Sequence, residues 1–269
     1  MKMNLTIGQY YPTESVIHRL DARTKILSTF IYIAAVFCAR GIVGYLLSAA
    51  LLILMIRLSN VPFKLMLGGL KSIIAIILFT VVLNVFFVRT GRDLFSFGII
   101  HITTDGVKIS IRLCIRLVML ILGSSVLTLV TSPISLTEGI EALLKPFKKI
   151  GVPAHEIAMM MSIALRFIPT LVDELDKIKK AQMARGADFD TGGLMAKAKS
   201  MIPLLVPLFV SAFRRADELA MAMEARCYRG DVNRTKMKKL EYGKNDYIAY
   251  SVVIGVTVSV ILSGIFLGA

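Results

Sequence analysis

Five apolar runs, at 26–39, 42–56, 72–88, 113–131 and 247–267, constrain this chain more than any other feature. A segment that crosses about 30 Å of hydrocarbon must satisfy its own N–H and C=O groups, and a helix of about 20 residues does so. The run 72–88 is interrupted only by Asn84, and 113–131 is entered through Lys108, Arg112 and Arg116. The first two runs are shorter and are separated by Arg40-Gly41. Lys25 and Arg57 flank them and can snorkel, so a tight helical hairpin is expected. Hydrophobic residues make up 56% of the 269 residues and mean hydropathy is +0.72, more apolar surface than a water-soluble chain of this length ordinarily carries. The expectation is an all-α membrane protein with about five transmembrane helices.

The charge pattern orients those helices. A net charge of +14 with a pI near 9.8 would suggest nucleic acid in a soluble protein. In a membrane protein, cytoplasmic loops collect Lys and Arg, so no nucleic-acid partner is needed to explain it. The link 57–71 carries Arg57, Lys64 and Lys71 and no acid, whereas in 89–106 Arg89 and Arg92 are balanced by Asp93 and Asp105. The insert 132–245 holds 19 Lys/Arg against 13 Asp/Glu. The N-terminus and the insert are therefore expected in the cytoplasm, and the C-terminus outside. The polar lead-in 1–25 shows no cleavage site, so the first apolar run is expected to stay in the membrane. Three parts follow: residues 1–131 with four spans, a surface domain at 132–245, and a last span at 246–269.

The insert reads as helices. Ser135-x-x-Glu138 is a capping-box signature for a short helix reaching about 150, with Gly151 as its stop. Pro153 suits a first helical position and Glu156 suits the positive end of the helix dipole. From there a helix to Arg185 would be roughly 45–50 Å long at about 1.5 Å per residue, kinked at Pro169. After a turn at 188–193, a second long helix is expected from about Leu194 to Arg226, bent by Pro203 and Pro207, and a basic linker at 229–246 returns to the membrane.

Both long helices close on one pattern: Ala181-Gln182-Met183-Ala184-Arg185-Gly186 and Ala222-Met223-Glu224-Ala225-Arg226-Cys227. A single arginine before glycine is ordinary capping, because it complements the negative helix end while Gly takes the left-handed conformation. Two copies, 41 residues apart on consecutive helices, ask for more, and Cys227 reads as a poor left-handed cap. Two small-faced tips, each with a guanidinium fork, suit two similar grooves in a dimeric or pseudo-dimeric partner.

Chemistry finds little purchase. No phosphate-binding G-x-x-x-x-G-K-[ST], H-E-x-x-H or G-x-S-x-G pattern occurs. The three histidines and three cysteines are scattered, so neither a metal site nor a disulfide framework is expected, and no cofactor. Asp173, Glu174 and Asp176 could hold Mg²⁺ in a lipid phosphotransferase, or form a solvated face with Lys177, Lys179 and Lys180. Arg112 and Arg116, one turn apart, could line the path of a self-contained transporter, or snorkel to lipid phosphate at the outer end of their span. Arg166 lies within an apolar run and could pair with Asp217 or Glu218. The methionine-rich 157–165 offers an adaptable surface for lipid or for a partner's helices.

The segments His18-Arg19-Leu20-Asp21-Ala22-Arg23-Thr24-Lys25, Thr131-Ser132-Pro133, Leu165-Arg166-Phe167-Ile168-Pro169-Thr170, Ala184-Arg185-Gly186-Ala187-Asp188-Phe189 and Glu224-Ala225-Arg226-Cys227-Tyr228-Arg229-Gly230 together resemble the transmembrane T component of energy-coupling factor transporters. The resemblance spans nearly the whole chain. It implies a non-catalytic scaffold in a bacterial plasma membrane, with two coupling helices crossing in an X. Their ends would dock into two ABC-type ATPases through Ala184, Arg185 and Gly186 and through Ala225, Arg226 and Cys227, where Gly is common in place of Cys227. Met159, Met160, Ile163, Leu204 and Leu208 would face a substrate-binding membrane subunit, the S component, which carries the specificity for a vitamin or metal ion. Arg166 and Pro169 would have structural roles.

Overall fold

The computed structural model describes residues 10–88, 90, 93–97, 100–187, 189, 193–230 and 240–266. The chain forms two compact units, Met1–Gly139 with Lys239–Ala269, and Ile140–Lys238.

In the first unit, α1 (Ala22–Cys38) starts where the Asp21 carboxylate accepts from the Arg23 N–H at 2.9 Å, a side-chain N-cap. It turns at Arg40-Gly41 into α2 (Gly41–Ser59), which ends on Asn60 in the left-handed conformation. Helix α3 (Phe63–Phe87) follows Pro62. The loop expected after it contains a small antiparallel ribbon, β1 (Asp93–Phe97) with β2 (Ile100–Thr103), in which Phe95 pairs with Ile102 and Phe97 with Ile100. Thr103 then accepts from the Gly106 N–H at 3.1 Å and opens α4 (Thr104–Val130).

Helix α5 (Pro133–Leu144) runs across the boundary between the units. Its start departs from the capping box expected at Ser135. Ser132 accepts from the Ser135 N–H at 3.2 Å, and Pro133, with no N–H to leave unpaired, takes the first position. The helix tightens at Pro146 into a 3-10 segment, Lys145–Ile150, and stops on Gly151 at φ +91°.

The unit's core lies where α1, α2, α3 and α4 meet α9 (Lys244–Phe266), with Tyr32, Val36, Leu51, Met66, Val126 and Val253 buried together. Tyr32 is fully buried and its hydroxyl donates to the Met119 carbonyl at 3.3 Å, which satisfies the group that burial would otherwise orphan. Its ring lies on Gly123, where an added Cβ would stand 2.3 Å from Tyr32 Cε1. Glycine there is a packing requirement. Outward-facing side chains such as Phe30, Leu46, Phe79 and Ile265 are apolar and exposed, the reverse of a water-soluble surface.

By length and composition α2, α4, α6 (Ala154–Ala184) and α9 qualify as membrane spans, and α3 makes a fifth if its two parts, bent by 57°, count as one. All five expected runs are helical. Helix α1, however, has only 17 residues, which leaves it short of a full span.

The second unit is built on α6 and α8 (Ile202–Ala225). Helix α6 continues through Pro169 for 31 residues, about 46 Å. The single helix expected from 194 to 226 is instead two, α7 (Leu194–Ser200) and α8, divided at Met201. Pro203 is the reason: its ring collides with the carbonyl four residues earlier and it has no N–H to offer, so it starts a helix more easily than it continues one. Ile163, Phe167 and Leu171 of α6 and Ala212, Ala216 and Ala220 of α8 recur every fourth residue and border a groove of about 320 Å³. Such rows interdigitate at a crossing of about 50°, and the alanines permit close approach.

Candidate functional site

The two arginine tips have the same backbone. At the end of α6, the Gly186 N–H donates to the Met183 carbonyl and the Ala187 N–H to the Gln182 carbonyl, each at 3.0 Å. At the end of α8, Cys227 donates to Glu224 at 2.8 Å and Tyr228 to Met223 at 3.0 Å. Both are Schellman closures with arginine at the C-cap. Arg185 has φ −89° and ψ 6°, and Arg226 has φ −91° and ψ 12°. The expectation that Cys227 would not cap in the left-handed conformation is corrected: it stands at φ +54°, where Gly186 stands at +88°. A side chain there costs roughly 1–2 kcal/mol. Two satisfied closing hydrogen bonds of about 1 kcal/mol each outweigh it. Ala184, Arg185, Gly186, Ala225, Arg226 and Cys227 are all exposed.

Tyr228, the residue that closes the second tip, sends its hydroxyl to the Met159 sulfur of α6 at 3.0 Å. The crossing is also fixed by charge. Glu174 of α6 accepts from the Ser211 hydroxyl and, at 2.7 Å, from the Arg215 guanidinium of α8. Glu174 is thus tied to α8. Asp173 is exposed and Asp176 half-buried, and among the described residues no group of three His, Cys, Asp or Glu is placed to hold a metal ion. Arg166 is exposed, and among the described residues neither Asp217 nor Glu218 pairs with it. The inter-helix ion pair lies two turns further along α6, at Glu174.

The five apolar positions assigned to a partner-facing surface differ in exposure. Met160 is 58% exposed, Met159 and Ile163 are half-buried, Leu208 is half-buried and Leu204 is 5% exposed. Leu205, Val206, Phe209 and Val210 of α8, in the stretch around Leu204 and Leu208 expected to form that surface, are exposed, as is Phe213 beyond it. Their 3.6-residue phase was visible in the sequence; which side of α8 faces α6 was not.

A second constellation, in the first unit, gives the motif at 18–25 its physical meaning. Asp21 caps α1 and pairs with Arg23, Oδ2 to Nη2 at 2.8 Å. The Asp21 N–H donates to Asp246 Oδ1 at 2.9 Å, and Asp246 Oδ2 accepts from the Gly243 N–H at 2.8 Å, joining the first turns of α1 and α9. Arg23 lies 4.0 Å from the centroid of the Tyr242 ring and donates to the Leu240 carbonyl at 3.0 Å. Lys25, 8% exposed, donates to the carbonyls of His18 at 2.9 Å and Val130 at 3.2 Å. Val130 precedes the 140–238 unit and Leu240 follows it. Two cations of one helical turn therefore hold the chain on either side of that unit. Burial, with the Lys25 charge nearby, pushes the His18 imidazole below its usual value. Asp246 carried no sequence signal, because its role depends on a partner 225 residues away.

A family model described as cobalt transport protein matches residues 13–237. The chain is 55% identical over 246 residues to the energy-coupling factor transporter transmembrane protein of Thermosediminibacter oceani, covering 91% of this chain and 92% of that one. It is 51% identical over 269 residues to the protein so described from Clostridium kluyveri, covering all of both chains. Against the one from Bacillus subtilis the identity is 47% over 255 residues, covering 94% and 96%.

Proposed function

The chain belongs to the family of energy-coupling factor transporter transmembrane proteins, and we propose that it is the non-catalytic subunit that couples two ABC-type ATPases to a substrate-binding S component. The observation that carries this reading is the pair of exposed arginines held in one Schellman geometry at the ends of α6 and α8. Equivalent tips suit equivalent grooves, and a dimer of like ATPases offers two. The guanidinium supplies a planar, permanently charged fork for carboxylate or carbonyl acceptors in each groove.

When ATP closes the ATPase dimer, the tips move with their grooves, and the Glu174–Arg215–Ser211 link keeps α6 and α8 moving as a crossed pair. The S component packs on apolar surface of the same helices, on Met160 and the expected Met159, Ile163 and Leu208, with Leu204 buried beneath them, together with the exposed row at Leu205, Phe209 and Phe213. The coupling unit and the lead-in are cytoplasmic, and the multi-pass membrane unit anchors the subunit in the bilayer. Residues 1–131, 132–245 and 246–269 then serve as membrane entry, coupling domain and closing span.

Co-purification tests this. Wild-type protein extracted in mild detergent should bring two ATPases and a small membrane subunit. An Arg185→Glu/Arg226→Glu variant should lose the ATPases while keeping its own stability, because both side chains are exposed. A stable wild-type protein that recovers no ATPase refutes the reading.

A further inference from the structure

Arg116 lies midway along α4, among the ends of other helices. Its Nη2 donates to the Tyr45 hydroxyl, near the start of α2, at 3.0 Å. Its Cζ is 5.9 Å from the ring centroids of both Tyr45 and Phe37, the latter one residue from the end of α1. Helix α9 ends at the same level, since a Cβ at Gly264 would stand 3.6 Å from Arg40 Cβ. The turn from α1 to α2 thus lies where Arg116 sits, with Gly264 of α9 beside it, while α4 continues for about 18 Å toward its N-terminus. A turn between two apolar helices belongs where water or headgroups can meet its backbone groups, and this one lies at the end of the unit opposite Lys25 and Asp246.

The guanidinium is under-used there. It has five N–H donors, and among the described residues Nε is buried without an acceptor. A cation in an apolar bundle leaves donors unpaired only at considerable cost; Nε is sealed from outside, so an acceptor from outside the chain would meet the Nη groups beside Tyr45. The charges nearby point the same way. Arg40 and Arg112 are exposed close by, and the nearest acid along α4 is Asp105, about 16 Å away. The surrounding surface is apolar and open, with Phe37 58%, Leu46 63% and Ile111 55% exposed.

We propose that Arg116, with Tyr45, binds the phosphate of an anionic phospholipid whose acyl chains lie on the apolar surface beside Phe37 and Leu46. Excess cations without acids favour a net negative headgroup over a zwitterionic one. The exposed apolar flank favours a lipid over free phosphate, which would gain nothing from it. Arg112 plays a lesser part: it is exposed and its Nε turns back to the Lys108 carbonyl at 3.4 Å.

Native mass spectrometry of the full-length protein, stripped of lipid in detergent and titrated with phosphatidylglycerol or phosphatidylcholine, tests the site. Wild type should bind phosphatidylglycerol in preference, and inorganic phosphate should not compete. Arg116→Gln should weaken binding about 10- to 100-fold, as expected for a charge-assisted hydrogen bond, while Arg112→Gln changes it little. Equal binding by wild type and Arg116→Gln, or no preference over phosphatidylcholine, would overturn the proposal. Competition by inorganic phosphate would make it a soluble-anion site, and lipid binding that vanishes when the other transporter subunits are present would assign Arg116 to a protein acceptor. If Arg116→Gln does not fold, Arg116→Lys decides in the same way: it keeps the charge and loses the fork, so unchanged affinity overturns the proposal and a several-fold loss supports it.

Discussion

Cys227 is where residue-level reasoning met its clearest correction. Its sequence argued against a left-handed cap, yet the two closing hydrogen bonds and the identity of the tip to that at Gly186 override the intrinsic preference of a side chain. Cys227→Gly should therefore be neutral or raise stability by up to about 1 kcal/mol, because relief of the left-handed penalty is partly offset by a more flexible unfolded chain. Cys227→Val should lower it by about 1 kcal/mol, since branching at Cβ aggravates the same conformation. Thermal midpoints in detergent would check both, and equal midpoints would mean that the strain is absent. Gly123 makes the opposite case. Any side chain meets the Tyr32 ring, so Gly123→Ala should cost about 1–3 kcal/mol by overpacking, seen as a lowered midpoint.

At the scale of elements, the apolar runs and the ends of the two long helices were legible because each acts locally. The five hydrophobic runs became helices, and Pro169 was accommodated within α6. What the sequence hid were choices settled by neighbours. Pro203 starts α8 instead of bending one long helix, and Ser132 displaces Ser135 as the cap of α5. Arg166 was the expected ionic link to α8; Glu174 makes it, because its position on α6 meets Ser211 and Arg215 across the crossing. Glu174→Gln should loosen the α6–α8 pair by about 1 kcal/mol, the scale of a partly exposed ion pair. Hydrogen exchange along α8 would reveal it, and identical protection in wild type and variant would contradict it.

For the whole molecule, the buried Lys25 and half-buried Arg23 of α1 matter most. Lys25 and Arg23 reach the carbonyls of Val130 and Leu240, the residues on either side of the unit that carries both tips. The motif at 18–25 stood out in the sequence, but its targets lie 105 and 217 residues away, and only the fold brings them together. Lys25→Met should cost roughly 1–3 kcal/mol by orphaning the buried Val130 carbonyl and the half-buried His18 carbonyl, while ATPase co-purification should persist because the tips are untouched. On the proposed function, mutation should separate the residues that hold the membrane unit together from those at the tips.

Cys227 supplies the most direct test, since it is exposed beside Arg226. With Cys38 and Cys114 replaced by serine, a photo-reactive maleimide placed on Cys227 in the assembled transporter should transfer to an ATPase subunit on illumination, and Arg226→Glu should abolish the transfer. Label that reaches only lipid, or that reaches the ATPase equally well in the Arg226→Glu variant, would contradict docking through the arginine tips.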